Sequence, residues 1–190
     1  MDYSKITPGD DIPKEVNALI EIPKGGGHIK YEFNHKTGSM VVDRLRDSSM
    51  LYPINYGCVP HTLSDDGDPL DILVLCDHAI QTGVVIPVRP IGVLIMEDEK
   101  GPDVKIIAVP ADRLTSAYSH IQKLEDLNEN ERKKIEHFFQ HYKDLEGGKD
   151  KWSKTAGWED VEAAHGYIIK SIEAAQSKSP IPAKPKIPGL

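Results

Sequence analysis

The chain has 190 residues, with 30 acidic and 23 basic side chains and a formal net charge of -7. This length allows one domain with a substantial core, and the acidic charge disfavours binding to nucleic acid. Aromatic residues make up only 6% of the chain, which also argues against a surface that stacks on bases.

Strands dominate the first two thirds of the predicted structure. Runs of aliphatic and β-branched residues, separated by glycine, proline and aspartate, predict six strands. These are Val16 to Ile22, Ile29 to Phe33, Met40 to Asp43, Asp71 to Leu75, Val84 to Met96 and Val104 to Val109.

Two helices are predicted after the strands. The first runs from about Asn130 to Leu145 and the second from about Asp160 to Gln176, each with apolar residues recurring on one face. The first stripe is Ile135, Phe138, Phe139, Tyr142 and Leu145, and the second is Val161, Ala164, Ile168, Ile172 and Ala175. Helices gathered after a run of strands indicate an α+β fold rather than a doubly wound sheet.

The end of the chain differs in composition from the rest. Residues 177–190 carry three lysines, four prolines and no acidic side chain. Prolines at this density prevent a helix and are typical of an extended segment. We therefore expect a single domain over residues 1–176, followed by an extended or disordered tail, with docking of the tail onto a neighbouring subunit as the alternative.

The most concentrated polar feature is an acidic turn at residues 65–71, where four carboxylates fall within seven residues. Carboxylates this close raise one another's pKa unless a cation lies among them, and Mg²⁺ prefers such oxygen ligands. The alternative is a solvated turn, but the apolar run that follows holds Asp71 at the mouth of a strand. An EF-hand loop is excluded, because Leu70 and Asp71 stand where that motif requires Asp or Asn and then glycine. The turn predicts a metal site.

Other polar residues suit a phosphate ligand. A second acidic hairpin carries Asp98, Glu99 and Asp103 between two strand-like runs. Cations and phenols occur on both sides of the acidic turn: Lys30, Arg44, Tyr56, Lys105, Tyr142 and Lys143. Each of these alone would be an ordinary surface or packing residue, so only the ensemble indicates a site. Asp43 and Asp65 are expected to be solvated or to pair with neighbours.

In these motifs the chain resembles a soluble family I inorganic pyrophosphatase of the bacterial type. The resemblance is collinear from near Ile6 onwards. It rests on Glu21-Ile22-Pro23, Ile29-Lys30-Tyr31-Glu32, Val42-Asp43-Arg44, Tyr52-Pro53, Asn55-Tyr56-Gly57, Asp66-Gly67-Asp68-Pro69, Asp71, Asp98-Glu99, Asp103, Lys105, His141-Tyr142-Lys143 and Gly157-Trp158. The chain departs from the family pattern in the flexible Gly25-Gly26-Gly27 loop and in the proline-rich end.

The resemblance implies a small OB-like closed β-barrel flanked by the two C-terminal helices, and hydrolysis of pyrophosphate to two orthophosphates by a magnesium-activated water. Asp68 would be the general base. Asp66, Asp71 and Asp103 would hold the first metal ion, and Asp71 would also reach a second. Asp98, Asp103 and Glu32 would bind the further metal ions. The substrate would be bound by Lys30, Arg44, Tyr56, Lys105, Tyr142 and Lys143. Glu21 and Glu99 would orient a lysine or a water molecule.

Several Mg²⁺ ions are expected in each site, with Mn²⁺ or Zn²⁺ as alternatives. Ca²⁺ is expected to bind but inhibit, because its larger and irregular shell holds the attacking water less well.

Compartment and assembly are also expectations. Cys58 and Cys76 lack metal-ligand spacing and favour reduced thiols. The N-terminus lacks the pattern of a signal peptide, and no stretch reads as a membrane span, so we expect a cytoplasmic protein. The family commonly forms hexamers. His137 and His141, one helical turn apart, are interpreted as surface or subunit-contact residues in preference to zinc ligands.

Two other classes of function stay open from the residues alone. An OB-type module that binds nucleic acid or sugar would share the strand pattern, but its groove should be basic and aromatic. A magnesium-dependent phosphatase acting on nucleotides or phosphomonoesters would share the acidic turn. Assays with ATP and a phosphomonoester beside pyrophosphate separate this second alternative.

Overall fold

The computed structural model describes residues 5–34, 37–146 and 151–178. Within these residues, eight strands and two α-helices form the framework, with short 3₁₀ helices at Ser116–Tyr118 and Leu124–Asp126. In chain order the main elements are β1 Val16–Ile22, β2 Ile29–Asn34, β3 Ser39–Leu45, β4 Asn55–Cys58, β5 Asp71–Val74, β6 Val85–Asp98, β7 Gly101–Pro110, α1 Glu129–His141, β8 Ser153–Glu159 and α2 Val161–Lys178. This is an α+β arrangement, as predicted.

All six predicted strands are present, and β4 and β8 are additional. The first helix was predicted too long: α1 ends at His141, and Leu145 is exposed instead of lying on the apolar stripe. The chain leaves the helix through turns in which Asp144 N donates to His141 O and Glu146 N donates to Lys143 O. These turns replace the last predicted helical turn and place Glu146 beside Arg44 of β3.

Six strands form one sheet in the order β1-β4-β5-β7-β6-β8. β6 pairs with β1 as well, so the hydrogen-bonded ladders run from β1 through β4, β5, β7 and β6 back to β1. The β5–β7 pair is parallel and the other pairs are antiparallel. β2 and β3 form a separate antiparallel hairpin.

The core lies on both faces of the sheet. Because side chains alternate along a strand, Ile72 and Val74 of β5 pack with Ala164 and Ile168 of α2. Leu73, between them, faces the other way and packs in the cluster of Phe138 and Phe139 of α1, Tyr52, Leu94 and Ile107. The α2 stripe is thus confirmed at its centre.

Strand β4 holds the middle of the fold together through Asn55. The buried Asn55 Oδ1 accepts from Lys24 N at 3.0 Å and Ile80 N at 2.8 Å, while Nδ2 donates to Val74 O at 3.3 Å and His78 O at 3.1 Å. β4 also runs unusually close to β1, because a Cβ on Gly57 would lie 2.0 Å from the carbonyl oxygen of Leu19. This close approach fixes the backbone next to Tyr56.

Cys58 and Cys76 are buried free thiols, as expected. Among the residues that the structure describes, no helix is both long and apolar enough to cross a membrane. α2 continues to Lys178, two residues beyond the predicted end of the domain. The rest of the predicted tail lies outside the described residues.

Candidate active site

One cavity of about 170 Å³ brings together every site residue predicted from the sequence. Its wall is drawn from the sheet, the β2–β3 hairpin, the acidic turn, the β6–β7 hairpin and the segment after α1. The fourteen predicted residues in this wall are Glu21, Lys30, Glu32, Arg44, Tyr56, Asp66, Asp68, Asp71, Asp98, Glu99, Asp103, Lys105, Tyr142 and Lys143.

Strand register positions the centre of the site. In the parallel pair of β5 and β7, Asp71 lies opposite Lys105. Asp103 is two residues before Lys105 on β7, so both side chains point to the same face of the sheet. Tyr56 on β4 reaches the same point, and its hydroxyl donates to Asp71 Oδ1 at 2.8 Å. Three strands therefore converge on one carboxylate.

Lys105 is a buried counterion for two carboxylates. Its Nζ lies 2.6 Å from Asp71 Oδ2 and 3.0 Å from both oxygens of Asp103, and its side chain is 3% exposed. Burial alone would lower the pKa of Lys105, but Asp103 and Asp71 outweigh it and hold that pKa well above its usual range. Burial raises the pKa of Asp103 above its usual value. The ammonium group therefore neutralises a pair of carboxylates that would otherwise repel each other.

The carboxylates of the acidic turn differ in whether they face the cavity or point away from it. Asp66 Oδ1 accepts from the backbone N–H of Asp68 at 3.1 Å, which closes the turn. The carboxylate of Asp68 is 58% exposed at the cavity mouth and lies 3.2 Å from Lys100 Nζ. Asp65 points away and pairs with Lys170 at 3.0 Å, as expected of a residue outside the site.

A second charged group lies where the β6–β7 hairpin meets the end of α1. Lys143 Nζ donates to Asp98 Oδ2 and to Glu99 Oε2, both at 2.8 Å, and Lys151 Nζ donates to Glu99 Oε1 at 2.6 Å. Burial opposes ionisation of Glu99, but the two ammonium groups outweigh it and lower the pKa of Glu99 to about 2. Glu99 therefore stays anionic and holds both lysines toward the cavity.

The β2–β3 hairpin supplies the opposite wall. Asp43 Oδ2 lies 3.1 Å from Lys30 Nζ and 2.9 Å from Arg44 Nε. Burial opposes ionisation of Asp43, but the two cations outweigh it and lower its pKa. Lys30 also lies 3.5 Å from Glu32. The pairing role expected for Asp43 is confirmed.

Glu21 is a buried acid at the back of the cavity. Burial raises the pKa of Glu21 to about 8. Its Oε1 accepts from Phe33 N at 2.9 Å, which ties β1 to β2. In the metal-free protein, burial therefore favours the protonated form of this carboxyl group at neutral pH.

Some residues of the wall were not assigned from the sequence. Those with a phenol or a charged side chain are Tyr52, Lys100, Glu146 and Lys151. Tyr52 belongs to the Tyr52-Pro53 motif. Glu146 and Lys151 follow Tyr142 and Lys143 closely in the chain. Proximity to these motifs was therefore the signal that could have indicated them.

The donor set fits hard divalent cations. Asp66, Asp71 and Asp103 present carboxylate oxygens to one cavity, and a cationic group already lies between two of them. Within residues 5–34, 37–146 and 151–178, no three histidine, cysteine or acidic side chains are close enough to enclose an ion. Carboxylate oxygens are the ligands that Mg²⁺ prefers, and this ion completes its shell with water and phosphate oxygens.

Comparison with known proteins points to one family. The family model described as inorganic pyrophosphatase matches residues 18–176. An inorganic pyrophosphatase of Agrobacterium fabrum is 50% identical over 173 residues, covering 91% of this chain and 97% of that protein. The solved structure of an inorganic pyrophosphatase from Coxiella burnetii is 47% identical, with a TM-score of 0.85 over 89% of this chain and 99% of that one. The structure from Thermus thermophilus is 40% identical, with a TM-score of 0.86 over 93% and 99%. The chain therefore belongs to the inorganic pyrophosphatase family of hydrolases.

Proposed function

We propose that this protein hydrolyses inorganic pyrophosphate to two orthophosphates with bound Mg²⁺, and that Asp68 is the general base. The observation that carries the proposal is the cavity in which carboxylates from the acidic turn and the β6–β7 hairpin face cations and phenols from other elements. A polyanionic substrate with divalent cations needs both kinds of group within one small volume.

The cations and phenols suit the substrate. Phosphoryl transfer depends mainly on positioning and on neutralising charge. Arg44 can donate two parallel hydrogen bonds to a phosphate group, whereas Lys30 and Lys143 act as compact charges. Tyr56 and Tyr142 are kept as neutral donors, since burial raises the pKa of both phenols. Lys105 also lines this cavity.

The carboxylates suit the cations. Asp66, Asp71 and Asp103 would hold the first ion, and Asp71 would also serve a second. Asp98, Asp103 and Glu32 would hold the ions that arrive with pyrophosphate. When bound, such ions neutralise phosphate charge and lower the pKa of a water molecule. Mn²⁺ or Zn²⁺ are alternatives to Mg²⁺ for the same donors.

Asp68 suits the role of the base because of its place in the turn. Its carboxylate is exposed at the cavity mouth, whereas Asp71 is held by Tyr56 and Lys105. It is thus open to accept a proton from an attacking water. The ammonium group of Lys100 lies 3.2 Å from Asp68 Oδ2.

The test is release of phosphate from pyrophosphate with Mg²⁺, with Ca²⁺ and with a chelator, using Asp68→Asn as the control. We expect release that requires Mg²⁺, is inhibited by Ca²⁺ and is largely lost in the variant. ATP and a phosphomonoester, assayed in parallel, should be poor substrates. A folded sample loaded with Mg²⁺ that releases no phosphate would overturn the proposal, and faster release from ATP would favour a nucleotide phosphatase.

The same proposal covers the architecture and the assembly. The ring of ladders from β1 back to β1 supports a small OB-like closed β-barrel. We infer one catalytic domain, predicted over residues 1–176 and here continued by α2 to Lys178, with an extended tail after it, a cytoplasmic location and a homohexamer. Neither nucleic acid nor a membrane is expected as a partner.

A further inference from the structure

Arg46 is a buried charge that the proposed chemistry does not use. It follows β3 directly, and its side chain is 1% exposed. A buried guanidinium is costly unless it is paired and hydrogen-bonded. Its surroundings therefore indicate what it does.

Each nitrogen of Arg46 donates a hydrogen bond. Nε donates to Glu146 Oε1 at 3.2 Å, NH2 to the carbonyl oxygen of Tyr142 at 2.8 Å, and NH1 to that of Gly27 at 3.2 Å. The guanidinium also lies 5.6 Å from the ring centre of Tyr142 and 5.3 Å from that of Tyr52. Arg46 thus joins the loop before β2 to the segment after α1.

Glu146 carries this connection into the cavity. Its second oxygen, Oε2, accepts from Arg44 NH1 at 2.9 Å, and its side chain is 10% exposed. Arg44 and Glu146 are 102 residues apart in the chain. One carboxylate therefore links a buried arginine to an arginine in the cavity wall.

We propose that Arg46 and Glu146 are positioning residues that hold Arg44 and Tyr142 in place for pyrophosphate. The inference rests on the proposed function, in which Arg44 and Tyr142 bind the substrate. Arg46 is too buried to contact a phosphate group itself, so it acts through Glu146 on Arg44 and through the backbone and ring on Tyr142. Misplacement of these two donors weakens substrate binding while the base and the metal ligands are unchanged.

The test is a set of steady-state measurements on Glu146→Gln, Arg46→Met and Arg44→Ala. Coupling within a network of contacting charges corresponds to roughly 2- to 150-fold in an equilibrium. We expect Glu146→Gln and Arg46→Met to raise KM for pyrophosphate about tenfold, with kcat changed by less than about threefold. In an Arg44→Ala background, Glu146→Gln should change KM by less than about twofold, because its target is gone.

Arg89→Met is the matched control. Arg89 is also largely buried and donates to the carbonyl oxygens of Ile121 and Tyr118, away from the cavity. The substitution Arg89→Met should lower the melting temperature and leave KM for pyrophosphate unchanged, as expected of a purely structural arginine.

The possible failures are distinct. Unchanged KM in folded Glu146→Gln, or an equal effect of Glu146→Gln with and without Arg44, overturns the positioning role. Glu146→Gln keeps the test valid if Arg46→Met does not fold. Absence of pyrophosphate turnover in the unsubstituted protein overturns the proposed function instead.

Discussion

Asp68 and Asp71 are three positions apart and differ in how tightly they are held. Asp71 accepts from Tyr56 and Lys105 and is 21% exposed, whereas Asp68 is 58% exposed and contacts Lys100. A group that must accept a proton needs freedom and access, and a metal ligand needs fixed geometry. The two carboxylates should therefore respond differently to the same substitution.

Asp68→Asn should lower kcat by at least about 100-fold, because a positioned base contributes roughly 10² to 10⁴ in rate. Asp71→Asn should instead raise the Mg²⁺ concentration needed for half-maximal activity. Magnesium titrations of both variants, with circular dichroism to verify folding, separate the two roles. Near-normal turnover in Asp68→Asn would contradict its role as base.

Glu21 makes the stability of the metal-free protein depend on pH. Its pKa is about 8 in the folded state, against an ordinary value of 4.5 for a glutamate side chain. Between these values the unfolded chain has lost the proton that the folded protein keeps, so the free energy of unfolding falls as pH rises. Glu21→Gln removes this effect and keeps an oxygen for Phe33 N.

We expect the stability of Glu21→Gln relative to the unsubstituted protein to increase from pH 5 to pH 8. The gain should be at most ~1.4 kcal/mol per pH unit. Urea unfolding in the presence of a chelator at several pH values measures it. A constant difference between the two proteins across this range would show that Glu21 ionises normally in the fold.

At the scale of the elements, β4 depends on a glycine. Gly57→Ala would place a methyl group 2.0 Å from the backbone oxygen of Leu19. Because two backbones must separate to make room, we expect a loss of several kcal/mol, on the order of the largest single-substitution effects. Thermal unfolding measures the loss.

The control for this change is Gly166→Ala in α2. A Cβ there meets nothing within 4 Å. The same substitution should stabilise the protein by about 0.8–1.0 kcal/mol through helix propensity. Equal effects at the two positions would mean that the approach of β4 to β1 is relaxed at little cost.

Strands with a strong apolar pattern could be predicted, and those without one could not. β1, β5 and β7 have long aliphatic runs and were found. β4 has the sequence Asn-Tyr-Gly-Cys, which is buried at all four positions but lacks alternation or β-branched residues. β8 gives no apolar signal, because three of its half-buried positions are Ser153, Thr155 and Gly157. Both strands are defined by their neighbours rather than by their own sequence.

Most of the charged and phenolic side chains that line the site could be predicted from the sequence. Motif residues such as Asp71 and Lys105 were named from the sequence and line one cavity. Arg46 and Glu146 were not. Glu146 lies close to Lys143 in the chain, but nothing in the sequence distinguishes a buried pair of charged residues from two surface charges. The turns after α1 bring Glu146 to Arg46, but a helical turn was predicted in their place. The contact between Glu146 and Arg46 therefore could not be inferred.

At the scale of the whole molecule, α1 presents two histidines to the outside. His137 and His141 are exposed, with ring centres 4.7 Å apart, and His141 Nδ1 lies 2.9 Å from Asp144. In the proposed hexamer, this face is a candidate subunit contact. Two protonated rings this close would repel each other, and Asp144 compensates for one of them.

We expect the hexamer to dissociate as the pH falls from 8 to 5, because two neighbouring positive rings at a subunit contact would repel each other. Size-exclusion chromatography from pH 8 to pH 5 measures this. His137→Gln with His141→Gln should remove the pH dependence. A single unchanged assembly over the whole range would count against a contact at these histidines.

The register of β5 with β7 also bears on how the protein folds. Asp71 faces Lys105 across this parallel ladder, and a slip of one residue would turn either side chain to the opposite face of the sheet. Arg44 meets Glu146 only when segments 102 residues apart have come together, and such distant pairings are the slow part of folding. A chain with misaligned strands thus has no working site. The rate at which pyrophosphate hydrolysis returns during refolding would then report how fast the last strand reaches its correct alignment.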